Sequence, residues 1–320
     1  MAKLPAKIED QRKEIVEKVA EDMETMGAEW LRPWASLGMP RNPVTGSEYH
    51  GSNALYLLAV AAWKGYGDPR WATFNQAKKN GWKLRKGSKA VAVEHWRSVV
   101  KDLTDSEGNP VLDKDGKPRK VRHLYCDGYY NVFNLSCFEG APEIEQAAEH
   151  DDAEIGVLAD ELIASCRCPV KEAPSEKAFY SPSRDSVTVP LRGQFKSNAA
   201  FVGILLHEMG HATAPALERE QKGRFGDSDY AFEELVAELS SLFASCELGV
   251  PIERDESDEH YARHVAYLRS WSEGIKEDPD ALFKAAAAAG KAATYNVERW
   301  SESTGKQPAA AKAPELPISA

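Results

Sequence analysis

The strongest constraint on this chain is a set of three polar residues inside an apolar helix. His207, Glu208 and His211 belong to the run His207-Glu208-Met209-Gly210-His211, and Ala199, Ala200, Phe201, Val202, Ile204, Leu205 and Leu206 lead into it. Positions i and i+4 of a helix share a face, so both imidazoles can reach one cation. A buried helix with two histidines and a glutamate needs a reason for those polar groups, and metal ligation supplies one. Zinc takes neutral histidine nitrogen at about 2.0–2.1 Å and keeps an open position for water at catalytic sites. His207 and His211 are therefore the expected ligands and Zn2+ the expected metal. Glu208 is the expected general base for a water acidified by that metal.

A third protein ligand is required. Residues 230–238 (Tyr-Ala-Phe-Glu-Glu-Leu-Val-Ala-Glu) read as a second helix about twenty positions on, with Glu234 and Glu238 on one face. This resembles the gluzincin arrangement, which implies Glu234 as ligand and Glu238 as the carboxylate bracing a ligand histidine. Glu233 is the alternative ligand, and the sequence does not choose firmly between the two. Residues 185–190 read as a strand at the sheet edge over this helix, where zincins pair with an extended substrate backbone.

Charge divides the chain in two. Over its 320 residues the net charge is −10, which taken whole argues against phosphate contact. Residues 1–140, however, hold 22 Lys and Arg against 18 Asp and Glu, whereas residues 141–320 hold 18 against 32. The stretch 60–122 has 15 basic and 7 acidic residues. Such asymmetry points to polyanion contact by one half.

Within residues 63–97, cations and aromatics interleave. Single strands favour this mixture, because bases stack on aromatic faces while Lys and Arg follow the phosphates. The expected DNA-binding residues are Arg70, Trp71, Lys78, Lys79, Trp82, Lys83, Arg85, Lys86 and Lys89. Buried core tryptophans with a solvated lysine face explain the same composition. No sequence-specific reader is present, so the expected partner is single-stranded DNA bound without sequence preference.

Periodicity predicts helices over 7–27, 52–63, 73–80, 153–166, 197–213, 229–248, 258–276 and 281–293. Strands are predicted over 88–100, 119–138 and 186–190, with Asp113 to Pro118 as a hairpin turn. The fold class is therefore α+β. An N-terminal α+β DNA-binding domain (1–140) and a linker (141–152) precede a mostly helical zincin-like domain (153–303) and a disordered tail (304–320). The longest apolar run has ten residues, too short to span a bilayer, so no membrane partner is expected. Five cysteines without framework spacing favour free thiols in a reducing cytosol. Cys166-Arg167-Cys168 lacks the two-residue spacing typical of zinc sites and reads as structural.

Several spaced motifs resemble the N-terminal domain of the ArdC-type antirestriction proteins. They are Trp30-Leu31-Arg32-Pro33-Trp34, Asn42-Pro43-Val44-Thr45-Gly46, Tyr49-His50-Gly51 with Asn53-Ala54-Leu55, and Arg70-Trp71-Ala72-Thr73-Phe74. Gln76-Ala77, Lys86-Gly87-Ser88 and Asn131-Val132-Phe133-Asn134 continue the set. Leu206 to His211, Arg224-Phe225-Gly226 and Tyr230 to Glu238 are similar to that family's zincin-like domain. The resemblance covers about residues 8–250. It implies a single-stranded-DNA-binding module joined to a zinc metallopeptidase-like domain in a bacterial cytoplasm, protecting incoming mobile-element DNA from restriction. The implied protein substrate is unnamed and either DNA-bound or related to restriction. Two other classes stay open: a non-catalytic protein that coats single strands, with a structural or vestigial metal domain, and a toxin or effector peptidase.

Overall fold

The structure is a computed structural model and describes residues 4–35, 38–144, 150–219, 228–253 and 271–308. Arg224-Phe225-Gly226, most of the helix expected over 258–276, and residues 309–320 of the expected tail lie outside the described residues. Residues 271–277 are helical.

Helix α1 (Ala6–Met26) buries Ile8, Ile15, Val16, Val19, Ala20 and Met23, the stripe that its periodicity predicts. A short helix α2 (Arg32–Ala35) and helix α3 (Gly51–Lys64) follow. Strand β1 (Trp71–Thr73) leads into α4 (Phe74–Lys79), where Thr73 and Gln76 form a reciprocal cap. Strand β2 (Lys83–Leu84) precedes two long strands, β3 (Val91–Asp102) and β4 (Lys120–Asn134). These pair antiparallel over their full length, with a register shift between His95 and Trp96. The sheet order is β1-β4-β3, and β2 pairs separately with β5 (Phe138–Glu139).

The second half opens with α5 (Asp152–Ser165), whose Asp151 and Glu154 cap each other's backbone. Strands β6 (Val170–Ala173), β7 (Phe179–Ser181) and β8 (Ser186–Pro190) form a sheet in the order β6-β8-β7. Thus Ser186–Pro190 is the central strand and not the edge expected from sequence. It pairs parallel with β6 on one side and antiparallel with β7 on the other. Among the described residues β6 and β7 are the two edges, and β7 (Phe179–Ser181) has three residues, too few to register as a strand from periodicity. Helix α6 (Asn198–Ala212) is capped by Ser197, and α7 (Ser228–Leu248) runs beside it.

Helix α8 (Pro279–Thr304) packs on α7, on α5 and on α3 of the first half. A Cβ at Gly290 would stand 3.0 Å from the backbone nitrogen of Gly51. This close approach gives the Ala-rich run its structural role, with Ala285, Ala286, Ala289, Ala292 and Ala293 all buried. One core cluster consequently takes in residues from both halves. Helices and strands are mixed as expected of the α+β class. No helix among the described residues is long and apolar enough to cross a membrane.

Candidate metal centre

Helices α6 and α7 meet closely because Gly210 lies between them. A Cβ there would be 3.3 Å from Ala237 Cα and 3.3 Å from both side-chain atoms of Ser240. With the helices this close, His207 and His211 face Glu234 across the seam. His207 Nε2 lies 3.6 Å from Glu234 Oε2, and His211 Nε2 lies 3.5 Å from Glu234 Oε1. The ligand atoms of the three residues all fall within 4.8 Å of one another. Tetrahedral bonds of about 2.1 Å would separate ligand atoms by about 3.4 Å, so the donor set fits a small dication.

Each imidazole has a carboxylate on its other nitrogen. His207 Nδ1 lies 3.3 Å from Glu238 Oε2, and His211 Nδ1 lies 3.2 Å from Glu233 Oε1. A proton held on Nδ1 leaves the Nε2 lone pair directed into the shared space. Glu238 thus stands where a bracing carboxylate was expected. Glu233, the alternative ligand, takes the same bracing position against His211.

Arg219 secures Glu233 with two bonds, Nε to Oε2 and Nη2 to Oε1, each 2.8 Å. The same guanidinium also donates to Gly210 O at 2.9 Å and to Thr213 Oγ1 at 3.0 Å. Burial would raise the Glu233 carboxyl, but hydrogen bonds from His211 and Arg219 outweigh it and lower the group to about 2. For Glu234 burial again opposes, and the two histidines pull it well below the usual carboxylate range. Glu208 is fully enclosed, and loss of solvent pushes its carboxyl up against the opposing influence of His207 and His211. The Tyr180 backbone, on strand β7, lies near enough to Glu208 to favour its charged form slightly.

Arg167 ties this strand to the helix. Its Nε donates to Ala212 O at 2.6 Å, and its Nη1 donates to Asp185 Oδ2 at 3.0 Å. The Tyr180 hydroxyl also donates to Asp185, at 2.9 Å. Sequence reasoning missed Arg167, Tyr180 and Arg219. Each is a single residue in a segment without periodicity, and only the fold brings it to the site.

The expected DNA-binding residues separate into two groups. Lys78, Lys79, Lys83, Arg85, Lys86 and Lys89 are exposed on α4, on β2 and on the turn after it. Arg70, Trp71 and Trp82 face inward, which corrects their placement on a DNA-contacting surface. Arg70 is held by Asp68 at 2.7 Å and by the Pro142 carbonyl at 2.7 Å. Trp71 is 1% exposed and packs edge-on against Tyr66, while Trp82 packs against Phe138. The exposed aromatics of this half are Phe74, Trp96, Tyr129 and Tyr130.

A mixed α+β chain with two histidines and a glutamate gathered between helices is a zincin-like metallopeptidase fold joined to a second module. Residues 158–288 match the family described as zincin-like metallopeptidase, and residues 9–133 match the N-terminal domain of the anti-restriction factor ArdC. The chain belongs to the ArdC-type antirestriction proteins. The metal-free crystal structure of the antirestriction protein ArdC from plasmid R388 is similar, with a TM-score of 0.65 and 29% identity. That likeness covers 91% of this chain and 98% of ArdC. The Mn(II)-bound ArdC structure gives a TM-score of 0.63 at 28% identity, covering 90% of this chain and 97% of that one. A DNA primase TraC of Escherichia coli is 34% identical over 291 residues, which is 88% of this chain but 19% of the primase. A second TraC of that species is 34% identical over 293 residues, 87% of this chain and 26% of its own length. The chain therefore spans only about a fifth to a quarter of these primases.

Proposed function

We propose that this chain is a zinc-dependent peptidase that binds single-stranded DNA and protects incoming mobile-element DNA in the bacterial cytoplasm. The observation that carries the reading is the meeting of His207, His211 and Glu234 around one small space beside the buried Glu208. Two imidazoles and one carboxylate are a donor set suited to zinc at a hydrolytic centre. The Mn(II) held by the related ArdC structure makes manganese the competing ion.

A zinc ion, when bound, would lower the pKa of a water toward ~7 and polarise a peptide carbonyl. His207, His211 and Glu234 would hold it. Glu208 is the group positioned to accept the proton from water and to return it to the leaving amine. The nearby Tyr180 backbone on strand β7 favours its ionised form slightly. Phe179–Ser181, an edge strand among the described residues, suits an extended protein substrate added as a further strand. We assign residues 1–140 to DNA binding and residues 153–303 to the peptidase unit, with a DNA-bound or restriction-related protein as substrate.

The test is a cleavage assay on DNA-bound proteins, with and without an oligonucleotide, comparing wild type with Glu208→Gln. Cleavage by wild type alone supports the reading. Full protection of DNA by Glu208→Gln would assign protection to binding and remove proteolysis from the account.

A further inference from the structure

The β3–β4 ribbon is long, and its outer part leaves large apolar side chains in solvent. Trp96 is 45% exposed, Val100 58% and Leu124 63%. The pairing register places them together. Glu94 lies opposite Tyr129, Ser98 opposite Leu124, and Val100 opposite Arg122. Directly opposed residues share a face, as do alternate residues of one strand. Asn131, Tyr129, Leu124, Val100, Arg122 and Lys120 therefore follow one another along a single face. From Asn131 to Lys120 this face is about 35 Å long at ~3.3 Å per residue.

Trp96 joins the same face through a fixed contact. Its indole Nε1 donates to Glu94 Oε2 at 2.7 Å. Glu94 is itself buried, and its Oε1 accepts from Arg12 Nε at 2.9 Å, Arg12 Nη2 at 2.8 Å and the Tyr56 hydroxyl at 2.7 Å. A half-exposed ring is thus anchored to the core by its polar edge. Such pre-organisation reduces the ordering cost of stacking a flat ligand on it.

Cations line the same surface. Lys7 from α1 donates to Asn131 Oδ1 at 2.6 Å, and its Nζ lies 5.4 Å from the centre of the Tyr129 ring. Residues 114–122 contain Lys114, Lys117, Arg119, Lys120 and Arg122 against one acidic residue, Asp115. Exposed aromatic rings in line with cations suit an unpaired polyanion with flat bases.

We infer that this face of the ribbon is a binding arm for single-stranded nucleic acid, with bases on Trp96 and Tyr129 and phosphates on Lys7 and Arg122. The inference rests on the proposal that the chain binds single strands. It locates a contact surface separate in sequence from the lysines of α4 and the following turn.

The experiment titrates the full chain with a labelled oligothymidine, by anisotropy at several salt concentrations. Variants are Trp96→Ala, Trp96→Leu, Trp96→Phe and Arg122→Gln, each checked for an unchanged thermal melt. Trp96→Ala and Trp96→Leu are expected to weaken binding by about five-fold or more, and Trp96→Phe to retain most of it. Arg122→Gln should lower the salt slope by about 0.7. Tight binding by wild type with no change in any variant overturns the arm while leaving the single-strand reading intact. Absence of binding by wild type at low salt overturns both. If the Trp96 variants alter only sedimentation, the face is a contact between copies of this chain and the inference falls.

Discussion

Glu233 and Glu234 are neighbours on one helix, yet they address His211 from opposite sides of its ring. Glu233 Oε1 lies 3.2 Å from Nδ1, and Glu234 Oε1 lies 3.5 Å from Nε2. Adjacent residues of a helix point about 100° apart, which allows one helix to supply both the third ligand and the brace. Two substitutions separate the roles. Glu234→Ala should abolish stoichiometric metal binding, whereas Glu233→Ala should weaken it by about 10–100-fold. Metal titration by calorimetry on chelator-treated protein reads both. Equal losses would contradict the assignment.

The helix seam gives a stability prediction. Gly210→Ala places a methyl 3.3 Å from Ala237 Cα and from Ser240 on the neighbouring helix, where backbone cannot simply move aside. A cost of about 1–3 kcal/mol is expected from such overpacking. Metal affinity should fall with it, because α7 carries Glu234. Urea unfolding of the metal-free chain measures the first effect. An unchanged midpoint would show that the seam relaxes freely.

The carboxylates predict opposite pH effects in the metal-free chain. Glu233 is lowered in the folded state to about 2 from its ordinary 4.5. Its contribution is therefore complete above pH 4.5 and lost as pH falls toward 2. Glu208 is raised, so its ionisation opposes folding, and the loss of stability grows as pH rises above its ordinary 4.5. Glu208→Gln should then stabilise the metal-free chain at neutral pH and have little effect near pH 4. Thermal melts across this range would refute the argument if Glu208→Gln were destabilising at pH 7.

Much of the site can be read from sequence because its geometry is local. His207, Glu208 and His211 lie within two helical turns, so spacing alone brings them to one face, whereas the choice of Glu234 over Glu233 rests on the gluzincin resemblance and not on spacing. What cannot be read depends on distant pairing. Arg219 and Tyr180 reach the site through loops and a three-residue strand, and β8 proves central only once β6 and β7 are in place. The tryptophans are misleading for a related reason. Composition suits both a stacking surface and a core, and burial assigns Trp71 and Trp82 to the core while leaving Trp96 outside.

That division predicts distinct outcomes for the basic half. Trp71→Ala should unfold or strongly destabilise the chain, by about 3–5 kcal/mol. Replacing Lys83, Arg85 and Lys86 by Gln should leave the melt unchanged and reduce the salt dependence of oligonucleotide binding. A stable Trp71→Ala protein with selectively weakened DNA binding would reverse the placement.

Helices α6 and α7 are proposed to build a hydrolytic metal centre whose base is Glu208. The most direct measurement combines metal analysis with single-turnover cleavage of a DNA-bound protein, on wild type and Glu208→Gln prepared side by side. About one zinc per chain is expected in both, with cleavage by wild type only. A wild type that holds no metal when prepared without chelator, or a Glu208→Gln protein that cleaves at the wild-type rate, would contradict it.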